Sequence, residues 1–343
     1  MKIFQIAKSK NLNLYHLLIV SIFISATTYY FTKEGEHQKF EKEKAEISKE
    51  SACEFSVKRL TDLEYVKPIL WVDHQCESEK LLDTKVKITD LINRYKANND
   101  INAASVYIRF NGNDWTEINP NEKYEPGSLF KVPILITILK MDEDHPGFLK
   151  KQLTFNKPFD TGKNVAFASK SIQLGHSYSV EELLTYMIKY SDNNATLLLE
   201  SAMDVKTLQR IFTDIGLQAP NAYASKYLFT VKEYTLFMRT IFNAGYLTIK
   251  NSEYAAELLA QCDFKDGLAQ GLPKTGIKFA HKFGESGNQF EKQLHESGVV
   301  YFKGGGFLIT VMTKGKDNKK LSQLLGEIST IVYNDIKNKT NTI

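Results

Sequence analysis

The chain is poor in the features that mark several functional classes. It has 3 cysteines and 7 histidines in 343 residues, and no grouping of them has metal-ligand spacing, so no metal or other cofactor is expected. Charge of one sign is also lacking. Lys plus Arg number 44 against 40 Asp plus Glu, a formal net charge of +4, and nothing in that balance points to a nucleic-acid partner. The length, with 43% hydrophobic residues, is enough for one large core or two fused lobes.

One long run without charge stands at the start. Lys2, Lys8 and Lys10 precede Leu12 to Phe31, which holds no charged residue apart from the ionisable His16 and is about long enough to cross a bilayer once. It reads as an export signal. Ile24-Ser25-Ala26 is a weak cleavage site, and Tyr29-Tyr30-Phe31 suits a membrane interface, which favours an uncleaved anchor over a cleaved signal. Polar residues follow at once, so a buried soluble helix would find no partner there. Lysines flank both ends, and the positive-inside rule alone does not set orientation. From Lys33 to Ser51 the chain is dominated by Lys and Glu at helical spacing, as in Glu36 with Lys39 and Glu41 with Lys44, which reads as a solvated stalk or partly helical linker. Cys53 and Cys76 flank a short segment, and in an oxidising compartment a disulfide between them and two free thiols are both open readings. Cys262 sits in an apolar helical pattern and is expected to be a buried free thiol.

The chemistry-bearing residues lie further on. Ser128-Leu129-Phe130-Lys131 follows the turn signal Pro126-Gly127 and leads into the apolar run Val132 to Leu139. Residues at i and i+3 share a helix face, so the Lys131 amine is expected to reach the Ser128 oxygen. A serine needs an adjacent base to become a good nucleophile, and a desolvated lysine can lose its charge and serve as one. Ser191-Asp192-Asn193 ends the apolar periodic stretch Leu183, Leu184, Met187, Ile188. His281-Lys282-Phe283-Gly284 lies in a strand-like segment near the C-terminus.

The pattern around these segments predicts strands at both ends of a helical middle. Val86 to Tyr95 repeats at helical intervals and stops at Asn98-Asn99-Asp100, and Ala104 to Phe110 with Trp115 to Ile118 reads as a hairpin. Ser179 with Glu182 and Thr230 with Glu233 have capping-box spacing. Ile277 to Phe283, Gly298 to Phe302 and Phe307 to Met312 are strands, and Leu321 to Ile336 forms an amphipathic closing helix. The expected fold class is α+β, an antiparallel sheet flanked by terminal helices with an inserted all-α lobe and a cleft between.

Read in order, Ser128-x-x-Lys131, Ser191-Asp192-Asn193 and Lys282-Phe283-Gly284 resemble the three motifs of penicillin-recognising serine enzymes, closest to class A β-lactamases, over about residues 84 to 337. The resemblance implies the β-lactamase/D,D-peptidase fold. It also implies an acyl-enzyme on Ser128, with Lys131 as base or proton relay, and Ser191 passing a proton to the leaving nitrogen. Asn193 would hold the substrate's amide side chain, Asp192 would orient its turn, and Lys282 would attract a substrate carboxylate. The oxyanion hole would be the backbone N–H groups of Ser128 and Glu285, and Gly284 and Gly287 would let substrate approach the strand.

Two positions depart from that family pattern. Phe283 stands where a hydroxyl residue is usual, with Ser286, Lys292 and His295 as substitutes the sequence cannot place. The stretch Gly216 to Phe229, where class A enzymes carry a deacylating glutamate, contains no acid. The organisation expected is a cytoplasmic segment at 1–11, an anchor at 12–31, a stalk at 32–83 and an extracytoplasmic serine hydrolase at 84–343. Its substrates would be β-lactams or related amides. A D,D-peptidase or transpeptidase acting on peptidoglycan stem peptides, and a slow-turnover penicillin-binding or cell-wall sensor module, are the alternatives.

Overall fold

Alternation along the strands sends successive side chains into two separate cores. In β3 (Ile101–Phe110), Val106, Ile108 and Phe110 enter one hydrophobic cluster and Tyr107 the other. The computed structural model describes residues 21, 23–38, 53–61, 63–110, 113–159, 167, 169–221 and 227–340. It divides into two units, Met1–Glu54 and Phe55–Ile343.

In the first unit, residues 23–38 are helical. Among the described residues no helix is long and apolar enough to cross a membrane. Half of the anchor expected at 12–31, residues 12–20 and 22, lies outside them, as does the whole segment 1–11. Cys53 and Cys76 are both disulfide-bonded, whereas Cys262 is a buried free thiol.

The second unit is built on a five-stranded antiparallel sheet in the order β4-β3-β9-β8-β7. Its strands are β3, β4 (Asp114–Ile118), β7 (Ile277–Gly287), β8 (Lys292–Phe302) and β9 (Gly305–Gly315), while β5 (Gln152–Thr154) and β6 (Ser177–Ser179) pair apart from it as a short ribbon. The three C-terminal strands are longer than their apolar runs because backbone pairing continues past the last apolar residue, as in Gly287 opposite Lys292. One face is covered by the terminal helices α1 (Leu82–Ala97) and α8 (Asn318–Thr340), which contribute Ile88, Leu91, Leu324 and Ile328 to the core. The other packs on the helical middle, which comprises α2 (Lys131–Asp144), α3 (Val180–Lys189), α4 (Asn193–Ala202), α5 (Val205–Asp214), α6 (Val231–Phe242) and α7 (Ile249–Ala260). Both expected capping boxes form, at Ser179 with Glu182 and at Thr230 with Glu233.

The stalk expected over 32–83 is folded from Phe55 onward. β1 (Phe55–Arg59) and β2 (Ile69–His74) pair as an antiparallel ribbon, and Leu70 and Trp71 are buried in the helical-side core. Asp73 fixes the ribbon. Its carboxylate lies 2.9 Å from Arg109 Nη1 and accepts from Arg239 at 2.8 and 3.0 Å, with that guanidinium 4.9 Å from the Trp71 ring centre. Both arginines are buried, and a buried charge left without its partner typically costs about 3–5 kcal/mol. Asp73→Ala is therefore expected to lower unfolding stability by about 3 kcal/mol in urea titration. A loss below about 0.5 kcal/mol would mean that the ribbon is held by its apolar contacts alone.

Candidate functional site

Ser128 occupies a 3₁₀ turn, Gly127–Phe130, that runs directly into α2. The first turns of α2 are apolar on all sides, and Lys131 at its start is buried with them, 4% exposed. Ser191 and Asp192 form the link between α3 and α4. Ser191 has φ +56°, a left-handed conformation uncommon for a non-glycine residue. Asp192 supports that link. Its carboxylate caps α4 by accepting from Asn194 N at 3.0 Å, and it also accepts from Ile172 N and Ser171 Oγ, each at 2.8 Å.

The Lys131 ammonium donates to Ser191 O at 2.5 Å, Ser191 Oγ at 3.1 Å and Asn193 Oδ1 at 2.8 Å. From β7, Lys282 donates to Ser191 Oγ at 2.9 Å and to Phe283 O at 3.2 Å. One hydroxyl therefore bridges two lysines. Lys282 is fully buried, and burial lowers its pKa to about 8. Burial likewise depresses Lys131 well below the usual lysine range, and the nearby Lys282 charge pushes in the same direction. A hydroxyl can accept from one ammonium while donating to a neutral amine, so the triplet Lys131–Ser191–Lys282 is equipped to pass a proton.

The sheet edge presses on the serine turn. An added Cβ on Gly284 would stand 2.2 Å from Pro126 O and 2.8 Å from Leu129 N, and one on Gly127 would stand 2.2 Å from Glu285 O. Only glycine permits this approach, and at Gly127 the φ of +52° requires it as well. Side chains of β7 and β8 fix Glu125, two residues ahead of the turn. Glu125 N donates to Gln293 Oε1 at 3.0 Å, and its carbonyl accepts from Ser286 Oγ at 2.9 Å and His295 Nε2 at 3.0 Å. His295 Nδ1 accepts from Thr313 N at 3.1 Å, so both nitrogens are satisfied by the neutral Nε2–H tautomer. Burial holds this imidazole at a pKa of about 3.

A family model described as "Beta-lactamase enzyme family" matches residues 83–336. The chain belongs to the beta-lactamase enzyme family. PBP-A is 20% identical with a TM-score of 0.63, covering 77% of this chain and 99% of its own. A beta-lactamase from Sphaerobacter thermophilus is 15% identical, with a TM-score of 0.62 and coverage of 75% and 97%. A class A beta-lactamase from Bacteroides cellulosilyticus is 18% identical, with a TM-score of 0.62 and coverage of 74% and 99%. At these identities the likeness is one of fold. A comparison with curated proteins by sequence found no match.

Against the expectations for this beta-lactamase-family site, the structure brings Lys131, Ser191, Asn193 and Lys282 into one hydrogen-bonded group. It also sets Gly284 and Glu285 against the Ser128 turn. Three details differ. The acceptors of Lys131 lie on residues 191 and 193, because the α3–α4 link and the first residue of α4 present them to the ammonium, and Ser128 Oγ is not among them. The space beside Gly284 is filled by Pro126 and Leu129, so that glycine serves the approach of two chain segments. Gly287, at φ +97°, serves the turn to Glu291. Ser286 and His295 bind the Glu125 carbonyl and hold its segment in place.

Sequence reasoning missed the Glu125 anchorage and two carboxyl groups. Glu200, half-buried on α4, has its carboxyl raised above the usual range by burial, with Lys131 opposing. Glu296 Oε1 lies 2.7 Å from His281 Nδ1 on the far face of the sheet. Burial holds His281 at a pKa of about 3 and raises Glu296 well above the carboxylate range, so the pair is neutral.

The histidine at 295 gives a pH test. Folded His295 stays unprotonated down to about 3, while the ordinary imidazole takes its proton near 6.5. Between those values the unfolded chain binds the extra proton, so stability is lost as pH falls through that window. His295→Gln is expected to lower the urea midpoint at neutral pH and to flatten the decline between pH 6.5 and about 4. Parallel wild-type and variant curves would show that His295 does not contribute to the acid limb.

Proposed function

We propose that this member of the beta-lactamase family is an exported serine hydrolase of the class A β-lactamase-like kind, acylated on Ser128 by β-lactams or related amides. The observation that carries the reading is the Lys131–Ser191–Lys282 relay beside the serine turn. A single-residue variant of PBP-A, 20% identical with a TM-score of 0.62, is an acyl-enzyme complex with penicillin G, which supports the same chemistry here.

In this mechanism, neutral Lys131 accepts the Ser128 hydroxyl proton as Ser128 Oγ bonds to the substrate's carbonyl carbon. The backbone N–H groups of Ser128 and Glu285 receive the oxyanion, with Gly284 allowing β7 to close on the turn. As the C–N bond breaks, Ser191 donates its proton to the leaving nitrogen and recovers one from a flanking lysine. Asn193 orients the substrate's amide side chain, and Lys282 supplies positive potential toward its carboxylate. The uncharged stretch 12–31 anchors the chain in the membrane and places the hydrolase outside the cytoplasm.

A second reading, a D,D-peptidase acting on peptidoglycan stem peptides, is favoured by the absence of an acid from Gly216 to Phe229. A slow-turnover penicillin-binding or sensor module rests on Phe283 and the short acid-free stretch, with the stalk giving reach above a membrane.

Intact-protein mass spectrometry with a fluorescent penicillin tests the assignment. Wild type is expected to gain one adduct, Ser128→Ala none, and Lys131→Ala to acylate at least ~10²-fold more slowly. An undiminished adduct on Ser128→Ala would overturn the nucleophile. Turnover of stem peptide without nitrocefin hydrolysis would favour the peptidase. Recovery of the full chain in the soluble fraction of its host cells would refute the anchor.

A further inference from the structure

The β1–β2 ribbon binds the rest of its unit through one face and leaves the other apolar and exposed. Opposed residues share a face, so Lys58 with Trp71 and Ser56 with Asp73 lie inward, while Phe55 with His74 and Val57 with Val72 lie outward. The Phe55 and His74 rings are 4.0 Å apart, and Phe55 and Val57 stay exposed. Apolar exposure continues through Ile69 to the tip residues Leu63, Tyr65 and Val66, of which Tyr65 is 88% exposed. Six exposed large apolar side chains thus fall within residues 55–69, whereas the described residues from 70 onward hold seven. Concentrated apolar exposure marks a contact surface, and scattered single residues do not.

The chain points to the occupant. Residues 32–54 alone separate Phe55 from the uncharged stretch 12–31, and a segment of that length reaches at most about 80 Å fully extended. A lipid surface so tethered is offered to the ribbon at high effective concentration. The face suits it, since aliphatic side chains enter the acyl boundary and the tyrosine at the tip fits the headgroup level with its hydroxyl. Backbone groups near the tip are already bonded, with Leu60 N donating to Pro68 O at 3.0 Å and Arg59 Nη1 to Lys67 O at 2.7 Å, which lowers the cost of leaving water. Glu54, Asp62 and Glu64 balance Lys58, Arg59 and Lys67, so the contact calls for no anionic lipid.

We propose that the outward face and tip of the β1–β2 ribbon form a membrane-contact surface, seated at the headgroup boundary of the bilayer that residues 12–31 span. This rests on the anchor proposed above and not on the chemistry at Ser128. Asp73, bonded to Arg109 and Arg239, carries the contact into the sheet and the helical middle. A single flexible tether leaves a catalytic unit free to turn, and a second point of attachment limits that freedom.

The test uses the full chain reconstituted into phosphatidylcholine vesicles, with or without bromine on the upper acyl carbons, as wild type, Tyr65→Trp and Phe290→Trp. Phe290 is the control. It is exposed in the β7–β8 turn, which Glu291 ties to Asn102 near the start of β3, whereas the ribbon meets Arg109 near that strand's end. Trp71 and Trp115 are buried and supply the background that wild type measures. The added emission of Tyr65→Trp is expected to shift to shorter wavelength and to fall about twofold or more in brominated vesicles, with that of Phe290→Trp unchanged. Adding Leu63→Ser and Val66→Ser to Tyr65→Trp should abolish the quenching. Equal Tyr65→Trp emission in both vesicles, on a chain that an alkaline wash leaves in the membrane, would overturn the inference and keep the anchor. Equal quenching of the two tryptophan variants would also overturn it, as would a Tyr65→Trp emission protected from bromine and from aqueous acrylamide alike, the result of a second copy covering the ribbon. Release of the chain from the vesicles by the wash would overturn both the inference and the anchor.

Discussion

Two buried lysines share one hydroxyl, and much of the site's architecture follows from that constraint. Both Lys131 and Lys282 bond to Ser191 Oγ, so their nitrogens lie within about 6 Å of each other. In a water-poor site, two ammonium charges at that separation repel, and the Lys282 charge adds to burial in lowering the proton affinity of Lys131. The structure meets the cost on one side with Ser191 O and Asn193 Oδ1, which take the remaining hydrogens of Lys131. On the other, Phe283 O accepts from Lys282, and the Phe283 ring centre lies 4.0 Å from its nitrogen. The left-handed φ of Ser191 fits the same requirement, because both its carbonyl and its hydroxyl must face Lys131.

The relay has to stay in register with the serine turn, and the sheet supplies that register. Strands β7 and β8 reach the turn by two glycine contacts and by three side chains on the backbone of Glu125. Each polar bond is worth only ~1 kcal/mol net, so their value is geometric. They fix Glu125 and the turn to the same two strands that carry Lys282 and Glu285. Tyr124 continues the attachment through paired backbone bonds to Phe229, at 2.8 and 3.0 Å, just ahead of α6. A movement of the sheet edge would therefore displace the turn and the strand together.

The fold was legible where local pattern and burial agree. The α+β class, the late strands, the closing helix and both capping boxes follow from periodicity and from residues three apart, which chain-local physics controls. The ribbon at 55–74 was not legible. Its only strongly buried pair is Leu70 and Trp71, and its attachment depends on Asp73 meeting arginines far along the chain at 109 and 239. In the site, the three motifs announce themselves by spacing. The roles of Gln293, Ser286 and His295 depend on the β7–β8 register and on their distance to Glu125, neither of which any short segment encodes. Glu200 was overlooked for a related reason. Its relation to Lys131 exists only once Asp192 caps a new helix at Asn193, whereas the sequence marks that point as the end of the preceding one.

Phe283 shows why a departure from a family motif has to be judged in three dimensions. Along β7, Lys282 turns to the relay, so Phe283 turns into the sheet's other core. There it stacks on Phe264, with ring centres 4.2 Å apart, and meets the edge of Phe167 at 6.0 Å. The ring brings no hydroxyl to a substrate, but it does add to the apolar surroundings that deny Lys282 water. Desolvation is the leading cause of its pKa of about 8. A lysine near that value is mostly charged at neutral pH yet can release its proton at modest cost, about 1.4 kcal/mol per pKa unit. An aromatic residue at this position therefore brings no hydroxyl to the cleft while adding to the burial that moves the neighbouring lysine toward a proton donor's working range.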